Sequence, residues 1–433
     1  MKYYSTNNKT TRVSLQEAVV KGLAPDKGLF MPEKIKILPQ SFFDSIDQLS
    51  FQEIAYTVAD AFFGEDIEAD ILKEIVYDTL NFDTPVVHVN DSIYSLELFH
   101  GPTLAFKDVG ARFMARLLGY FIKKQGQKDV NVLVATSGDT GSAVANGFLG
   151  VKGIHVYVLY PKGKVSYIQE CQFTTLGQNI TPIEIDGTFD DCQALVKEAF
   201  MDEELNKKMN LTSANSINIA RFLPQSFYYF YAYAQLKKAG KAQDIVFSVP
   251  SGNFGNLTAG LIAKRMGLPV KRFIAANNRN NIFFEYLESG NYKPRPSVQT
   301  IANAMDVGDP SNFVRILDLY NNSLSEIKKD ISSAWYSDTE IEVTVKDVYG
   351  ENSYLLDTHG ACGYRALTSQ LETGETGIFL ETAHPAKFQE IIEKILGENV
   401  EIPLSLQKFM QGKRKNVELT KEYIRFREFL LQG

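Results

Sequence analysis

Short apolar runs, each followed by a turn with Gly or Ser and then by an amphipathic helix, recur along the chain from about residue 93. The clearest runs lack polar alternation, as expected for strands covered on both faces. We predict such strands at 130–135, 154–160, 180–185, 245–249, 272–276 and 378–380. Helical periodicity follows at 192–209, 219–238 and 257–266. This order predicts a doubly wound α/β architecture with a mostly parallel sheet.

The first ninety or so residues have a different pattern. Helical stretches such as 51–63 and 67–80 are separated by Gly and Pro and show little strand pattern. We therefore predict a mainly helical N-terminal accessory domain over residues 1–90. From about 290 to 355, clusters of Pro, Asn and Asp weaken the periodicity, and we interpret this stretch as an insertion.

Length and composition fit a globular protein of two or three lobes that can enclose a cleft. Of the 433 residues, 44% are hydrophobic and 22% charged, which excludes a disordered, collagen-like or coiled-coil chain. The formal charge is −7, from 45 Lys and Arg against 52 Asp and Glu. This balance argues against nucleic acid or an anionic membrane as a partner.

Cysteine and histidine positions predict neither a metal site nor a disulfide scaffold. The three Cys and five His residues are scattered, without CxxC, HxxxH or HExxH spacing. The amino terminus has no apolar core behind a basic segment, and no run of about 18 apolar residues occurs elsewhere. We expect a cytoplasmic protein.

The turn after the strand at 130–135 contains Thr136, Ser137, Asp139 and Thr140 between glycines. In open α/β sheets, ligands bind at the carboxyl ends of strands. Hydroxyl groups and the unpaired amides of a helix start suit a carboxylate or a phosphate. The alternative is that Ser137, Asp139 or Thr140 only caps the helix, without any ligand.

The turn after the strand at 245–249 is rich in glycine and precedes a helix, as phosphate-binding loops do. It contains no lysine. Neither turn matches GxxxxGK[ST], or GxGxxG with an acidic residue about 20 positions on, which argues against nucleoside triphosphates and nicotinamide dinucleotides. The alternative is a glycine-rich connection that tight packing alone requires.

Lys107 follows three apolar residues at the start of an amphipathic helix. Apolar surroundings and the positive end of the helix disfavour its ammonium form, so its pKa should fall and its amine should become nucleophilic. The alternative is a lysine whose stem packs while its charged end reaches solvent. An imine-forming lysine, a phosphate cup and a hydroxyl-rich anion loop together meet the needs of a pyridoxal phosphate enzyme.

Across nearly the whole chain, the sequence resembles the threonine synthase family, within the tryptophan-synthase-like (fold type II) group of pyridoxal phosphate enzymes. The segments that carry the resemblance keep the order and spacing of the family, and they are 23–32, 99–108, 135–142, 187–192, 215–221, 251–256, 303–308 and 382–388. The resemblance implies two lobes around a cofactor cleft. We place them at 91–243, with Lys107 and the 136–142 turn, and at 244–433, with the phosphate cup.

The resemblance implies pyridoxal 5′-phosphate as cofactor. Lys107 is similar to the lysine that binds the cofactor covalently and then moves protons at the substrate carbons. Asp139 lies where many relatives have Asn against the cofactor 3′-oxygen, and Thr382 resembles the hydroxyl residue facing the pyridine nitrogen. Thr382 could instead cap a short helix. The residues similar to the cup for the cofactor phosphate are Gly252, Asn253, Phe254, Gly255 and Asn256.

The implied reaction is that of a lyase acting on a phosphate ester. It converts O-phospho-L-homoserine and water to L-threonine and phosphate by γ-elimination and β-addition of water, the last step of threonine biosynthesis. Thr136, Ser137 and Thr140 resemble the loop that binds the substrate carboxylate. The residues that resemble the substrate phosphate site are Asn215, Ser216 and Arg221. A surface ion pair is the alternative for Arg221, and we expect a monomer or homodimer.

Two departures from the family pattern affect the expectations. Lys27 stands where the family usually has Gly, in a segment that we interpret as structural, and 357–363 differs from the usual run. We therefore leave His359 outside the site, and we expect His384 to pack or to cap. Two other functions stay open: a related lyase such as a hydroxy-amino-acid dehydratase, and a non-catalytic anion-binding relative.

Overall fold

The computed structural model describes residues 1–125 and 129–432. The strands are β1 Lys2–Ser5, β2 Val13–Ser14, β3 Phe30–Pro32, β4 Val86–Asn90, β5 Ile93–Glu97, β6 Val130–Ala135, β7 Ile154–Pro161, β8 Ile180–Asp186, β9 Asn210–Ser213, β10 Ile245–Pro250, β11 Arg272–Asn277, β12 Ile331–Trp335, β13 Thr376–Glu381 and β14 Val417–Thr420. They form three sheets.

The α-helices lie between these strands and beyond the last one. They are α1 Leu15–Lys21, α2 Gln40–Ser45, α3 Phe51–Phe63, α4 Ala69–Thr79, α5 Lys107–Gln125, α6 Asp139–Phe148, α7 Tyr167–Thr174, α8 Phe189–Met201, α9 Glu203–Lys208, α10 Ile219–Phe222, α11 Phe227–Lys238, α12 Gly255–Arg265, α13 Ile282–Ser289, α14 Phe313–Leu319, α15 Leu324–Asp330, α16 Asp338–Asn352, α17 Thr358–Gln370, α18 Gln389–Leu396, α19 Leu404–Met410 and α20 Tyr423–Gln432. None of the described helices is long and apolar enough to cross a membrane.

Two parallel sheets carry the α/β part of the molecule. The five-stranded sheet has the order β14-β8-β7-β6-β9 and is parallel throughout. The six-stranded sheet has the order β12-β11-β10-β13-β5-β4, in which only β4 runs antiparallel to its neighbour. All the predicted strands are present. Strand β6 is buried at every position, which is the burial that an apolar run without alternation predicts.

Helices cover both sheets and bury them. Helices α5, α6 and α8 pack around the five-stranded sheet, and α17 packs against β10, β11 and β13 of the other sheet. The doubly wound α/β fold with mostly parallel sheets is therefore confirmed. Because parallel strands carry their turns at the carboxyl end, the turns after β6, β9, β10 and β13 become available to a common cleft.

The N-terminal part is mainly helical, as predicted, but it also holds a small antiparallel sheet of order β2-β1-β3. These strands are two to four residues long, too short to show an alternating pattern in the sequence. Tyr3 of β1 and Phe30 of β3 are fully buried. The sheet therefore packs the start of the chain against its core.

Two predicted helices are interrupted. The stretch 192–209 breaks at Asp202, whose extended backbone ends α8 and whose carboxylate accepts a hydrogen bond from Leu205 N to begin α9. The stretch 219–238 divides into α10, a 3₁₀ turn at Leu223–Ser226 and α11. Pro224 lies in that turn, where its ring is incompatible with a continuous α-helix.

The division of the chain into 1–90, 91–243 and 244–433 stays a prediction. In the structure, one strand of each predicted lobe pairs with the sheet of the other lobe. Strand β5, at residues 93–97, pairs with β13 in the six-stranded sheet. Strand β14, near the end of the chain, pairs with β8 in the five-stranded sheet. Strand β12, within the stretch interpreted as an insertion, forms an edge of the six-stranded sheet.

Candidate active site

A cleft that is partly open to solvent lies where the turns of the two large sheets meet. Twelve of the fourteen residues predicted for the site line it. They are Lys107, Ser137, Thr140, Asn215, Ser216, Arg221, Gly252, Asn253, Phe254, Gly255, Asn256 and Thr382. The other two, Thr136 and Asp139, are buried and do not line the cleft wall.

The turn after β10 has its backbone amides free and its side chains engaged. Among the described residues, no protein acceptor is within hydrogen-bonding distance of the amides of Gly252, Asn253, Phe254 and Gly255. The side-chain amide of Asn256 donates to the Pro250 carbonyl at 2.8 Å, and its oxygen accepts from the Leu257 amide at 2.9 Å. Side chains therefore fix the turn, while its N–H groups remain for an anion.

Local geometry explains why Gly252 is required in this turn. A Cβ on Gly252 would lie 2.7 Å from Met305 Cα and 2.8 Å from the Ala304 carbonyl oxygen. Phe254, two residues further along the turn, has a left-handed backbone with φ of 61° and is 2% exposed. A non-glycine residue in this conformation costs about 1 kcal/mol, which burial of its aromatic ring against Phe283 offsets.

The turn after β6 uses its side chains differently. The Thr136 hydroxyl accepts hydrogen bonds from the amides of Gly138 and Gly141, at 2.9 and 2.7 Å. Thr136 therefore shapes the turn from behind instead of lining the cleft. Ser137 and Thr140 are half-buried, line the cleft and have no protein partner for their hydroxyls among the described residues. Neither caps α6 through its side chain.

Asp139 lies behind the same turn in a buried ion pair. Its Oδ1 is 2.7 Å from Lys387 Nζ and accepts a hydrogen bond from Gln169 Nε2 at 2.8 Å. Burial alone would raise the pKa of Asp139, but the charges of Lys387 and Lys107 and the hydrogen bonds lower it to about 2. Asp139 is therefore an anion held beside Lys107, and it does not cap α6.

Lys107 begins α5 and is half-buried in the cleft wall. Its pKa falls from 10.5 to about 8, mainly because burial disfavours the charged amine. Arg221 and Lys387 lower the pKa further, whereas Asp139 opposes the shift. A lysine with this pKa has about a tenth of its amine neutral at pH 7, far more than an ordinary lysine, and can act as a nucleophile and as a base.

Arg221 is a buried cation without a carboxylate partner. It is 3% exposed, and its guanidinium donates to the carbonyls of Ala214 at 2.8 Å and Lys107 at 2.8 Å. No ion pair joins it to any described residue, so the surface ion pair considered from sequence is not formed. Burial lowers its pKa to about 10. Arg221 therefore places a positive charge in the cleft that no described carboxylate neutralises and that an anionic ligand can neutralise.

Ser216 connects the region around Arg221 to the cup. Its hydroxyl accepts from the side-chain amides of Asn253 and Asn312, each at 2.9 Å. Asn215 donates through its side chain to the Ala135 carbonyl at 3.1 Å. The two polar groups of the cleft, the cup and the Arg221 region, are therefore joined by direct hydrogen bonds.

Thr382 lies in the cleft wall directly after β13, and its carbonyl accepts from the Phe106 amide at 2.9 Å. It is not a helix cap, because His384 caps the 3₁₀ turn Pro385–Phe388 through its Nδ1. His359 is 2% exposed and satisfied on both ring nitrogens, by Asp357 at 2.6 Å and the Ala304 amide at 3.1 Å. Both histidines thus have structural contacts, but His359 also lines the cleft, so leaving it outside the site was wrong.

Among the residues around the site that were not predicted, three buried ones hold the predicted residues in place. Lys387 and Gln169 hold Asp139, and Arg315 is fully buried behind the Arg221 region. Arg315 donates to the carbonyls of Ser216 at 2.8 Å, Ile217 at 2.7 Å and Phe30 at 3.0 Å. Lys387 occurs in a segment that carries the family resemblance, which was the available signal, whereas Gln169 and Arg315 had none.

The cleft residues fit pyridoxal phosphate. The amides of the cup, crowded so closely that Gly252 tolerates no side chain, suit the cofactor phosphate. Lys107 offers an amine of lowered pKa for the cofactor aldehyde, and Thr382 offers a neutral hydroxyl in the same cleft. The donor set thus matches the phosphate, carbonyl and ring of this group.

Comparison with known proteins gives the same result along the whole chain. Residues 78–379 match the family described as pyridoxal-phosphate dependent enzyme, and 2–80 and 360–429 match the threonine synthase N terminus and C-terminal families. Threonine synthase from Haemophilus influenzae is 45% identical over 434 residues, covering 100% of both chains. Threonine synthase from Escherichia coli is 47% identical over 406 residues, covering 94% of each.

Solved structures agree with these sequence matches. The crystal structure of threonine synthase from Escherichia coli superposes with a TM-score of 0.94, at 44% identity and 100% coverage of both chains. The pyridoxal phosphate-bound threonine synthase from Brucella melitensis gives a TM-score of 0.93 at 34% identity, covering 100% of this chain and 99% of the other. The chain therefore belongs to the threonine synthase family of pyridoxal phosphate-dependent enzymes.

Proposed function

We propose that this chain converts O-phospho-L-homoserine and water to L-threonine and phosphate. The observation that carries the choice of substrate is Arg221, a buried guanidinium in the cleft with no carboxylate partner among the described residues. The cup after β10 serves the cofactor phosphate, so this second positive group calls for a second anion. A phosphorylated substrate supplies it.

We assign the substrate carboxylate to the turn after β6. Ser137 and Thr140 have free hydroxyls in the cleft, and the start of α6 adds its amide dipoles. Thr136 supports this turn from behind. Arg221 binds the substrate phosphate together with Asn215 and Ser216, so the substrate is held at both ends.

When bound, pyridoxal phosphate supplies an electron sink for the negative charge that develops as protons leave the substrate carbons. Lys107 would hold the cofactor through its amine, and as a free amine it would take the proton from Cα of the substrate. A pKa of about 8 keeps part of its amine neutral near neutral pH, as a base requires. Thr382 places a neutral hydroxyl in the cleft, where it can face the pyridine nitrogen without giving it a full proton.

Arg221 then stabilises the phosphate as the Cγ–O bond breaks and its electron pair leaves with the phosphate oxygen, which takes the proton lost from Cβ. Its charge is fixed in a buried site, so its interaction with the departing dianion is strong. Lys107 returns to Cγ the proton that it took from Cα. Water adds its oxygen at Cβ, which forms the threonine hydroxyl, and the remaining proton of that water reaches Cα through Lys107, which completes threonine. We also propose a cytoplasmic location and a monomer or homodimer.

The deciding experiment incubates the purified enzyme with O-phospho-L-homoserine and measures inorganic phosphate and threonine in parallel. Equal amounts of both products support the proposal. Release of ammonia and a keto acid instead would identify a hydroxy-amino-acid dehydratase, and no turnover at all would contradict both activities.

Two variants connect this activity to the assigned residues. Arg221→Ala should lower kcat/KM for the phosphorylated substrate about 100- to 1000-fold, because the buried charge that binds phosphate is lost. The matched control is Arg265→Ala on the exposed end of α12, which should change kcat/KM less than about twofold. Lys107→Ala should abolish turnover and the visible absorbance of the covalently bound cofactor.

A further inference from the structure

The ion pair between Asp139 and Lys387 joins the two large sheets at the base of the cleft. Asp139 begins α6, directly after β6 of the five-stranded sheet, and Lys387 lies in the 3₁₀ turn after β13 of the six-stranded sheet. The side chain of Lys387 is 0% exposed and that of Asp139 is 3% exposed. A lysine fully removed from water is uncommon, because its desolvation must be offset by specific contacts.

Lys387 has those contacts on two sides. Its Nζ lies 2.7 Å from Asp139 Oδ1 and donates to the Thr103 carbonyl at 2.8 Å. Thr103 is held in turn by Asp108, through its amide at 2.9 Å and its hydroxyl at 2.6 Å. Asp108 directly follows Lys107 in α5. The ammonium of Lys387 is therefore fixed relative to the start of the helix that carries Lys107.

One carboxylate oxygen of Asp139 remains available for a further hydrogen bond. Both hydrogen bonds, from Lys387 and from Gln169, go to Oδ1, so Oδ2 has no protein donor among the described residues. The charged groups that face Lys107 are Asp139, Arg221 and Lys387. Without Lys387, the carboxylate of Asp139 would be a single buried negative charge next to the cofactor-binding amine.

We propose that Lys387 is a positioning residue that cancels the charge of Asp139, so that the pair acts on Lys107 and the bound cofactor as a nearly neutral hydrogen-bonding unit. An asparagine would give a neutral acceptor at this position without any partner. An aspartate gives the acceptor only if a cation is buried with it, and Lys387 supplies that cation. The pair thereby sets the proton affinity of the Lys107 nitrogen. Because Asp139 and Lys387 follow strands of different sheets, this proton affinity depends on contact between the two sheets.

Substitutions at Asp139 and at Lys387 should change the proton affinity of Lys107 in opposite directions, which a merely structural role of the pair would not produce. Asp139→Asn removes the anion and leaves Lys387 as an extra positive charge, which favours loss of a proton at Lys107. Lys387→Met removes the cation and leaves Asp139, which favours retention of that proton. The double variant, Asp139→Asn with Lys387→Met, removes both charges and should return close to the original enzyme.

The test is a pH titration of the visible absorbance of the pyridoxal phosphate-loaded, full-length protein. We expect the midpoint to fall by about one pH unit in Asp139→Asn, to rise by about one unit in Lys387→Met, and to return within about 0.3 unit of the original in the double variant. A single-variant shift of the same sign in both, or no shift in either, would overturn the proposal.

A matched control separates charge setting from loss of stability. Lys264→Met breaks an ion pair of the same length, 2.7 Å to Asp330, away from the cleft, and should lower the thermal midpoint without moving the spectral midpoint. If Lys387→Met does not fold, Asp139→Asn and the double variant still decide the question, since the second substitution must reverse the shift of the first. Failure of that reversal also contradicts the proposal.

The inference rests on the assignment of Lys107 in the proposed function, and the two can fail separately. If Lys107→Ala keeps the visible absorbance of the bound cofactor, the assignment of Lys107 is wrong. If Lys107→Ala loses this absorbance but the charge variants do not shift the midpoint in opposite directions, only the role of Lys387 is wrong. Neither result depends on which substrate the enzyme turns over.

Discussion

The turn after β6 and the turn after β10 occupy equivalent places in the two sheets, yet they present opposite parts of the chain to the cleft. In the cup after β10, the side chain of Asn256 is engaged within the turn and the backbone amides are free. In the turn after β6, Thr136 engages two backbone amides and the hydroxyls of Ser137 and Thr140 are free.

This difference suits two different ligands. Backbone amides have no rotamers to lose, so a cup made from them can hold a resident phosphate in one fixed position. Hydroxyl groups can rotate to donate or accept, which suits a carboxylate that arrives as substrate and leaves as product. One turn therefore fits the cofactor and the other fits the molecule that is turned over. Substitutions in and beside the two turns test this contrast.

Gly252→Ala should weaken cofactor binding by about 100-fold, equivalent to ~2.7 kcal/mol. The new Cβ would lie 2.7 Å from Met305 Cα, so the backbone must move and the amides of the cup lose their alignment. Equilibrium titration of the cofactor-free protein with pyridoxal phosphate measures the effect. Gly350→Ala is the control, since a Cβ there meets nothing within 4 Å, and it should leave the affinity unchanged. Equal affinities for the two variants would contradict the description of the cup.

Thr136→Val should lower the free energy of unfolding by about 2–3 kcal/mol. Valine keeps the shape of threonine, but it leaves the buried amides of Gly138 and Gly141 without an acceptor. Urea unfolding monitored by circular dichroism provides the measurement, with Thr136→Ser as the control that retains the hydroxyl. If valine and serine have the same effect, the hydroxyl does not support the turn.

Raising the pH should stabilise the cofactor-free protein, because Lys107 loses its proton more easily in the folded chain than in the unfolded chain. Lys107 lies beside Asp139 of the turn after β6. The pKa of Lys107 is about 8 in the folded chain against 10.5 normally, so the unfolded chain binds more protons between these values. The cost of burying Lys107 is full below pH 8 and is relieved as the pH rises to 10.5. We expect the unfolding free energy of the original protein to gain about 1–2 kcal/mol over this range relative to Lys107→Met. A constant difference between the two proteins would show that the amine keeps its ordinary pKa.

Ser137→Ala should raise the KM for the substrate about 5- to 10-fold while cofactor affinity stays the same. The hydroxyl has no protein partner among the described residues, so its removal costs about 1 kcal/mol of ligand binding and little stability. Steady-state kinetics and pyridoxal phosphate titration of the same preparation measure both quantities. A fall in cofactor affinity without a change in KM would assign this turn to the cofactor instead.

The sequence predicted those parts of the fold whose signal is local. The buried strands β6, β7, β8, β10, β11 and β13 were visible because each is an apolar run before a turn. Strands β4, β5, β9, β12 and β14 of the two large sheets were not predicted. Of these, the edge strands β12 and β14 gave little signal because they are less buried and lie in polar surroundings. The break at Asp202 was also missed, since a helix N-cap inside a periodic stretch leaves the apolar spacing unchanged.

The residues of the site likewise divide into those that a local sequence signal locates and those that only tertiary contacts bring into place. The cup and the 136–142 turn follow strand ends, and Lys107 begins a helix after three apolar residues, so all three could be located from the sequence, and the structure brings them into one cleft. The partners of Asp139 could not be located, because Lys387 and Gln169 approach from distant segments through tertiary contacts. A buried lysine and an exposed lysine look the same in a sequence, and only the fold tells them apart.

Arg315 has a consequence for how the molecule unfolds. Its guanidinium joins the carbonyl of Phe30, in the small N-terminal sheet, to those of Ser216 and Ile217 beside Arg221. Asn218 adds a second link, donating to the Val19 carbonyl at 2.9 Å. Unfolding the N-terminal part would strand a buried cation, so the loss of one part destabilises the other. We therefore expect the accessory segment and the cleft to unfold as one cooperative unit, and a chain shortened to its α/β part to lose the contacts that hold the segment beside Arg221 in place.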